Sequence, residues 1–148
     1  MSLDNQKPGY RGFLTERAVC VASLLRRAGY QTFMTGKWHL RGKGNPACIP
    51  TNHGFDEFFG HFKAYASYYR SDLFERLPEG RNKRDYKPTE FYATDAITDY
   101  ALEFIEASQR TEKPFFLYVA YNAPHFPLQA PAEEIKKGLS TYRAGWDK

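Results

Sequence analysis

The chain has 148 residues, of which 42% are hydrophobic and 17% aromatic, and it carries a net charge of +4. This length suits one domain or a part of a larger one, because two ordinary domains need more residues. No stretch approaches the roughly 18 uninterrupted apolar residues of a transmembrane helix, so we expect no membrane partner. The two cysteines, Cys20 and Cys48, fit neither a disulfide framework nor a zinc spacing.

The positive charge is scattered along the chain rather than gathered into a patch. The one basic cluster, residues 81–84, is followed at once by Asp85. This pattern is typical of a solvated loop. We therefore expect no nucleic-acid partner, although a basic, aromatic-rich module that binds polyanions stays open as an alternative.

The first half of the chain predicts a helix that leads directly into a strand. Residues 16–28 place apolar side chains at helical spacing, with Thr15 as a possible N-cap and Gly29 as the stop. Residues 30–35 are rich in β-branched and aromatic side chains and predict a short strand. A loop follows over residues 41–50, and residues 52–60 predict a short strand or a packed turn.

The second half repeats this order after an irregular segment. Residues 62–87 show no clear period, and Thr89 then predicts the cap of a helix that extends to about Arg110. Residues 115–121 form a continuous apolar run, which is typical of a strand covered on both faces. Two helix-to-strand units indicate an α/β sheet. We expect residues 115–121 to form an interior strand beside and parallel to residues 30–35.

Polar segments follow both predicted strands at their carboxyl ends, where open α/β sheets bind ligands. Lys37 and His39 follow the first strand, and His125 follows the second. In an extended chain Lys37 and His39 point to one side, while Trp38 points to the other and can pack into the core. We therefore expect Lys37, His39 and His125 to approach one pocket, with an anion-binding lysine and two possible proton-transfer groups.

Two further histidines flank the aromatic segment in the middle of the chain. His53 and His61 lie at either end of a run that is bounded by glycines. Histidines in such turns commonly bond the backbone, so we expect neither to act in catalysis.

Three blocks of this sequence resemble the sulfatase family. Residues 22–40 contain a helix, a Gly-Tyr-x-Thr turn and a Gly-Lys-Trp-His-Leu segment, as in the family's second signature. Residues 53–60 and 121–131 resemble its next block and its Pro-His-x-Pro segment. The resemblance implies an α/β fold, part of an alkaline-phosphatase-like sheet with flanking helices. It also implies that residues 10–148 are part of a sulfatase catalytic domain, after a linker-like start over residues 1–9.

The resemblance implies a role for each candidate site residue. The intact enzyme would cleave sulfuric esters with a formylglycine nucleophile beside a calcium ion. Lys37 would bind a sulfate oxygen, and His39 would hydrogen-bond the formylglycine hydroxyl. His125 would contact the bridging oxygen and protonate the leaving group. The substrate would be a sulfate ester of a small molecule or a glycan, and the family's usual compartments are the periplasm and the exterior.

Parts of the family pattern are missing from this sequence. No nucleophile motif precedes Gly36, and the segment that begins at Cys48 carries Asn52 where the motif needs an arginine. We therefore expect Cys48 not to be the nucleophile. The family's metal-ligand pairs are also absent, so calcium ligands would come from the remainder of the catalytic domain, and the chain alone would be inactive. A phosphatase or phosphodiesterase of the same superfamily is the nearest alternative.

Overall fold

The computed structural model describes residues 7, 9, 11–15, 17–42, 45–87 and 89–142. These residues form helices, strands and two short 3-10 turns. The helices are α1 (Val21–Arg27), α2 (Ala93–Ser108) and α3 (Ala132–Thr141), the strands are β1 (Gln31–Lys37), β2 (Glu57–His61), β3 (Glu75–Leu77) and β4 (Phe115–Ala120), and the turns are Pro50–His53 and Ser71–Leu73. None of the helices in these ranges is both long enough and apolar enough to span a bilayer.

The four strands form one sheet with the order β3-β2-β1-β4. β1 is central and pairs in parallel with both β2 and β4, whereas β3 pairs antiparallel with β2. The predicted α/β class and the parallel pairing of the two apolar strands are therefore confirmed. The carboxyl ends of β1, β2 and β4 consequently meet at the same edge of the sheet.

Both faces of β1 are buried, because successive side chains of a strand point to opposite faces. Phe33 packs against α2 in one hydrophobic cluster, while the next residue, Met34, packs with Trp38 and Phe58 in another. The apolar stripe predicted for α2, which includes Ile97, is buried in the first cluster. Burial on both faces fits the apolar residues Phe33 and Met34 in the middle of β1, while the charged Lys37 stands at its end.

A buried arginine holds β3, the outermost strand on one side of the sheet. Arg76 of β3 is only 6% exposed at its side chain, and its guanidinium pairs with Glu57 of β2 and with Glu103 of α2. The same guanidinium lies 4.5 Å from the ring centroid of Phe104. A charge that is buried and paired in this way fixes the position of β3 against α2, although it adds little net stability.

Both helix starts differ from the predicted ones. α1 begins at Val21 rather than near residue 16, because Thr15 closes a separate turn in which its carbonyl oxygen accepts from the Ala18 N–H at 3.1 Å. The shortened helix buries Ala22 alone, so the predicted buried face is largely wrong. α2 begins at Ala93, and Thr89 does not cap it: the Ala93 N–H instead donates to the Tyr68 carbonyl oxygen at 2.7 Å.

The predicted interior position of residues 115–121 is wrong. Among the described residues β4 pairs with β1 alone and is an edge strand. Its side chains Phe115 and Tyr118 are 43% and 48% exposed. An apolar run shows that the side chains of a strand are suited to burial, but it does not show that other segments cover them. Among the described residues, no segment pairs with the free edge of β4. The segment predicted as irregular, residues 62–87, contains β3, and the alternative of a short strand is correct for β2.

Small residues let the strands approach closely just before their polar ends. Gly36 has a φ of +102°, and a Cβ atom there would overlap the carbonyl oxygen of Ala120. Gly60, its partner in β2, has equally little room, because a Cβ atom there would overlap the carbonyl oxygen of Gly36. This rung of the sheet therefore requires glycine, and it sets the direction in which Lys37 and His61 leave the strands.

We expect Gly36→Ala to destabilise the fold by more than about 3 kcal/mol, since it combines backbone strain with steric overlap. Gly29→Ala is the matched control, because Gly29 has a φ of +93° but open space around it. That change should cost only about 1–2 kcal/mol. Urea unfolding of both variants measures the difference, and equal losses would contradict the close packing at Gly36.

Candidate functional site

The polar ends of three parallel strands gather at one edge of the sheet. Lys37 is the last residue of β1 and lies in register with His61, the last residue of β2. Asn122 and His125 follow β4. These four residues line one pocket together with residues of the β2–β3 segment and Phe126; the further lining residues are Ala64, Tyr65, Ala66 and Tyr68.

Trp38 anchors the segment that carries Lys37 and His39. Its indole is buried, and its Nε1–H donates to the Cys48 carbonyl oxygen at 3.0 Å. Its backbone N–H donates to the carbonyl oxygen of His61 at 2.9 Å. The predicted burial of Trp38 is confirmed, and it leaves Lys37 and His39 half-buried on the side away from the indole.

The charges at this edge influence one another. Burial lowers the pKa of His39, and the nearby charges of Lys37 and His125 lower it further. Burial also lowers the pKa of Lys37. The structure thus places His39 within electrostatic range of Lys37 and of His125, although His39 is not among the residues that line the pocket. These influences favour the neutral imidazole of His39.

His125 lies in a tight turn after β4. The backbone N–H of His125 donates to the Asn122 carbonyl oxygen at 2.8 Å. The Tyr68 hydroxyl donates to the carbonyl oxygen of His125, also at 2.8 Å. The ring Nδ1 lies 2.6 Å from the carbonyl oxygen of Phe126. A carbonyl oxygen only accepts, so Nδ1 carries a proton and Nε2 is the nitrogen left for other chemistry.

His61 is the site residue that sequence reasoning missed. Its Nδ1 accepts from the backbone N–H of Lys63 at 3.2 Å, as expected for a turn histidine. Its Nε2–H therefore donates to Asn122 Oδ1, at 2.8 Å, and this bond was not expected. Burial lowers the pKa of His61 to about 4, and the charges of Lys37 and His39 act in the same direction. The missed signal is that a glycine precedes both Lys37 and His61 at a strand end.

Cys48 and His53 lie together in a separate place. Cys48 is buried, its Sγ lies 3.3 Å from His53 Nε2, and burial raises the pKa of its thiol. Its protonated thiol can donate to the Leu40 carbonyl oxygen at 3.2 Å. These properties support the expectation that Cys48 is not a nucleophile. The ring of His53 contacts this thiol and the indole of Trp38.

The described residues do not fit a calcium site. Calcium takes about six to eight oxygen ligands. Across residues 11–15, 17–42, 45–87 and 89–142, no group of three or more His, Cys, Asp or Glu side chains is arranged to hold a metal ion. The pocket at the carboxyl ends of the strands instead presents the nitrogen atoms of Lys37, His61 and His125. Its amide oxygen, Asn122 Oδ1, already accepts a hydrogen bond from His61.

The buried His61 predicts a pH-dependent stability. Because its pKa is depressed on folding, the unfolded chain binds more protons below pH 6.5, and stability falls as the pH drops from 6.5 towards 4. The full difference corresponds to roughly 3 kcal/mol. Urea unfolding at several pH values should show a steeper loss for the wild type than for His61→Gln. Parallel curves for the two proteins would contradict the buried, neutral state of His61.

Comparison with known proteins assigns the chain to a family. The sulfatase family model matches residues 2–145. An arylsulfatase of Klebsiella aerogenes is 33% identical over 147 residues, which cover 95% of this chain and 31% of that protein. Arylsulfatase J of Mus musculus is 39% identical over 118 residues, covering 72% and 19%. The N-acetylgalactosamine-6-sulfatase of Mus musculus is 34% identical over 132 residues, covering 78% and 24%.

Solved structures show the same fold. The crystal structure of Ps i-CgsB in complex with k-i-k-neocarrahexaose has a TM-score of 0.71 at 29% identity, over 84% of this chain and 31% of that one. BT4656 in complex with its substrate D-glucosamine-2-N,6-O-disulfate has a TM-score of 0.64 at 26% identity, over 95% and 26%. The chain thus spans a third or less of these relatives. Because the family model covers nearly all of it, and its sheet and flanking helices match the alkaline-phosphatase-like fold of these sulfatases, this chain belongs to the sulfatase family.

Proposed function

We propose that this chain contributes substrate-binding and proton-transfer groups to the active site of a sulfuric-ester hydrolase. The observation that carries the proposal is the common pocket lined by Lys37 and His125, with His39 near enough for both charges to lower its pKa. A cation beside two imidazoles suits an ester of a tetrahedral anion that must be bound, cleaved and released.

Lys37 is the group that binds the sulfate. It leaves β1 at the glycine rung and is half-buried, so its ammonium group is partly withdrawn from water. An ammonium group in such a setting neutralises a sulfate oxygen as negative charge grows in the transition state. Arg41 does not take the same role towards sulfate, since its guanidinium stacks on the ring of Phe62, 4.6 Å from the ring centroid.

His39 and His125 divide the proton transfers. Burial lowers the pKa of His39 and so favours its neutral form, which can accept a proton or a hydrogen bond from a nucleophile's hydroxyl. His125 has its Nδ1–H held by the Phe126 carbonyl oxygen. Its Nε2, once protonated, can donate to the bridging ester oxygen, and the leaving alcohol or phenol takes that proton as the S–O bond breaks.

The nucleophile and the metal belong to the rest of the enzyme. We infer a formylglycine and a calcium ion in the intact protein, on residues outside the described part of the chain. When bound, calcium offsets the charge of the sulfate group. The partner of this segment is then the remainder of the catalytic domain, and the free edge of β4 is the place where it can pair.

The substrate class follows from the site and the relatives together. One solved relative is a complex with neocarrahexaose and another with a disulfated glucosamine. We propose a sulfate ester of a glycan or of a small molecule as the substrate. A periplasmic or secreted location, usual for the family, is part of the same proposal.

In the intact protein, His125→Ala should lower kcat/KM about 10²- to 10⁴-fold for an alkyl sulfate, because a poor leaving group needs the proton. The loss should be much smaller for 4-nitrophenyl sulfate, whose leaving group is stable as an anion. Lys37→Ala should reduce turnover of both substrates about 10²- to 10³-fold. Lys63→Ala is the matched lysine control, since its side chain is exposed. A similar loss in Lys63→Ala would contradict a specific role for Lys37.

Residues 1–148 alone should not hydrolyse sulfate esters, since Lys37 and the two histidines have no nucleophile to serve. The assay uses a chromogenic aryl sulfate with the purified chain and calcium. The His125→Ala chain is the control. Turnover that this substitution abolishes would place a nucleophile within these residues, and Cys48 would be the first to test.

A further inference from the structure

The pocket contains a buried hydrogen-bonded pair to which the proposed chemistry gives no role. His61 ends β2 and is 0% exposed, and Asn122, just after β4, is 6% exposed. The bond from His61 Nε2–H to Asn122 Oδ1 measures 2.8 Å and joins segments that are 61 residues apart in sequence. Between them lies the central strand β1, so the bond spans the strand that carries Lys37.

Asn122 connects this pair to His125. Its side chain accepts from His61, and its backbone carbonyl oxygen accepts from the His125 N–H at 2.8 Å. The Tyr68 hydroxyl donates to the carbonyl oxygen of His125, which gives the turn a second anchor. The position of His125 is therefore set from two sides, and one of them begins at a residue in register with Lys37.

We propose that His61 is a positioning residue that acts through Asn122 to hold the turn of His125 at a fixed place relative to Lys37. This inference rests on the proposed function, since it concerns the proton donor of that reaction. His61 is fully buried and does not touch the substrate. It acts by fixing the distance between the group that binds sulfate and the group that protonates the leaving oxygen.

The two bonds explain why a neutral histidine occupies this position. The ring must accept from Lys63 N–H on one side and donate to Asn122 on the other, and only the neutral imidazole does both. Burial opposes its protonation first, and the charge of Lys37 and any charge on His39 act in the same direction. On another side lies the ring of Phe74, with its centroid 5.1 Å from that of His61. The surroundings therefore keep the ring in the one form that maintains the link.

Two substitutions of similar size separate positioning from general packing. Glutamine places its amide near the position of Nε2 and can still donate to Asn122, whereas asparagine reaches only to the position of Nδ1. His61→Gln should therefore retain most activity of the intact enzyme. His61→Asn and Asn122→Ala should each lower kcat for an alkyl sulfate at least 10-fold, with a smaller effect on 4-nitrophenyl sulfate. Inhibition by inorganic sulfate, which reports on Lys37, should change less than 2-fold in all three variants.

The double variant completes the test. If His61 and Asn122 act as one unit, His61→Asn combined with Asn122→Ala should lose no more than the worse single variant. Equal losses on both substrates, additive effects, or no advantage of glutamine over asparagine would overturn the proposal and leave His61 a packing residue. Should His61→Asn fail to fold, the comparison of His61→Gln with Asn122→Ala on the two substrates decides in the same way.

Failure of the proposed function would look different. In that case the wild-type intact protein would turn over neither sulfate ester. The positioning is then read from the imidazole ¹H and ¹⁵N resonances of His125 in the intact protein. They should shift in Asn122→Ala and stay within line width of the wild type in His61→Gln. Unchanged His125 resonances in Asn122→Ala would overturn the link itself, whatever the reaction.

Discussion

The parallel pairing of β1 with both neighbours at the rung of Gly36, Gly60 and Ala120 is the constraint on which the site depends. The carboxyl ends of parallel strands lie on the same side of the sheet, so residues that are far apart in sequence meet there. An antiparallel neighbour would carry its polar end to the opposite edge. The absence of side-chain bulk at Gly36 and Gly60 then brings the strands close enough for His61 to reach Asn122 past the strand of Lys37.

The two edges of the described sheet differ in a way that matters for the intact protein. One edge strand is β3, which is antiparallel to β2 and whose buried Arg76 is bound to β2 and α2 through Glu57 and Glu103. The other edge is β4, with Phe115 exposed. The chain spans about 31% of its Klebsiella aerogenes relative, so most of such a protein lies beyond the matched segment. The free edge of β4, with its exposed aromatic side chains, suits a segment that is completed by further strands.

Local patterns were enough to predict some of this structure. The apolar stripe of α2 follows from periodicity, and the strand at residues 30–35 follows from its β-branched and aromatic composition. The position of Lys37, His39 and His125 after the predicted strands follows from counting along the sequence. The exposure of β4 could not be predicted. An apolar run shows that the side chains of a strand are suited to burial, but it does not show whether neighbouring segments cover them. The start of α2 depends on the Tyr68 carbonyl oxygen, and the role of His61 depends on Asn122. Both are long-range bonds that no local pattern contains.

Packing and protonation at the rim have a common cause. Burial is the largest influence that lowers the pKa of Lys37, of His39 and of His61, ahead of any neighbouring charge. The Trp38 indole and the glycine rung direct these side chains, and the same contacts withdraw them from water. A surface that fixed their geometry without removing water would leave the histidines closer to their ordinary pKa and partly charged near pH 6.5. The contacts that fix these side chains therefore also favour the neutral imidazoles of His39 and His61 beside Lys37.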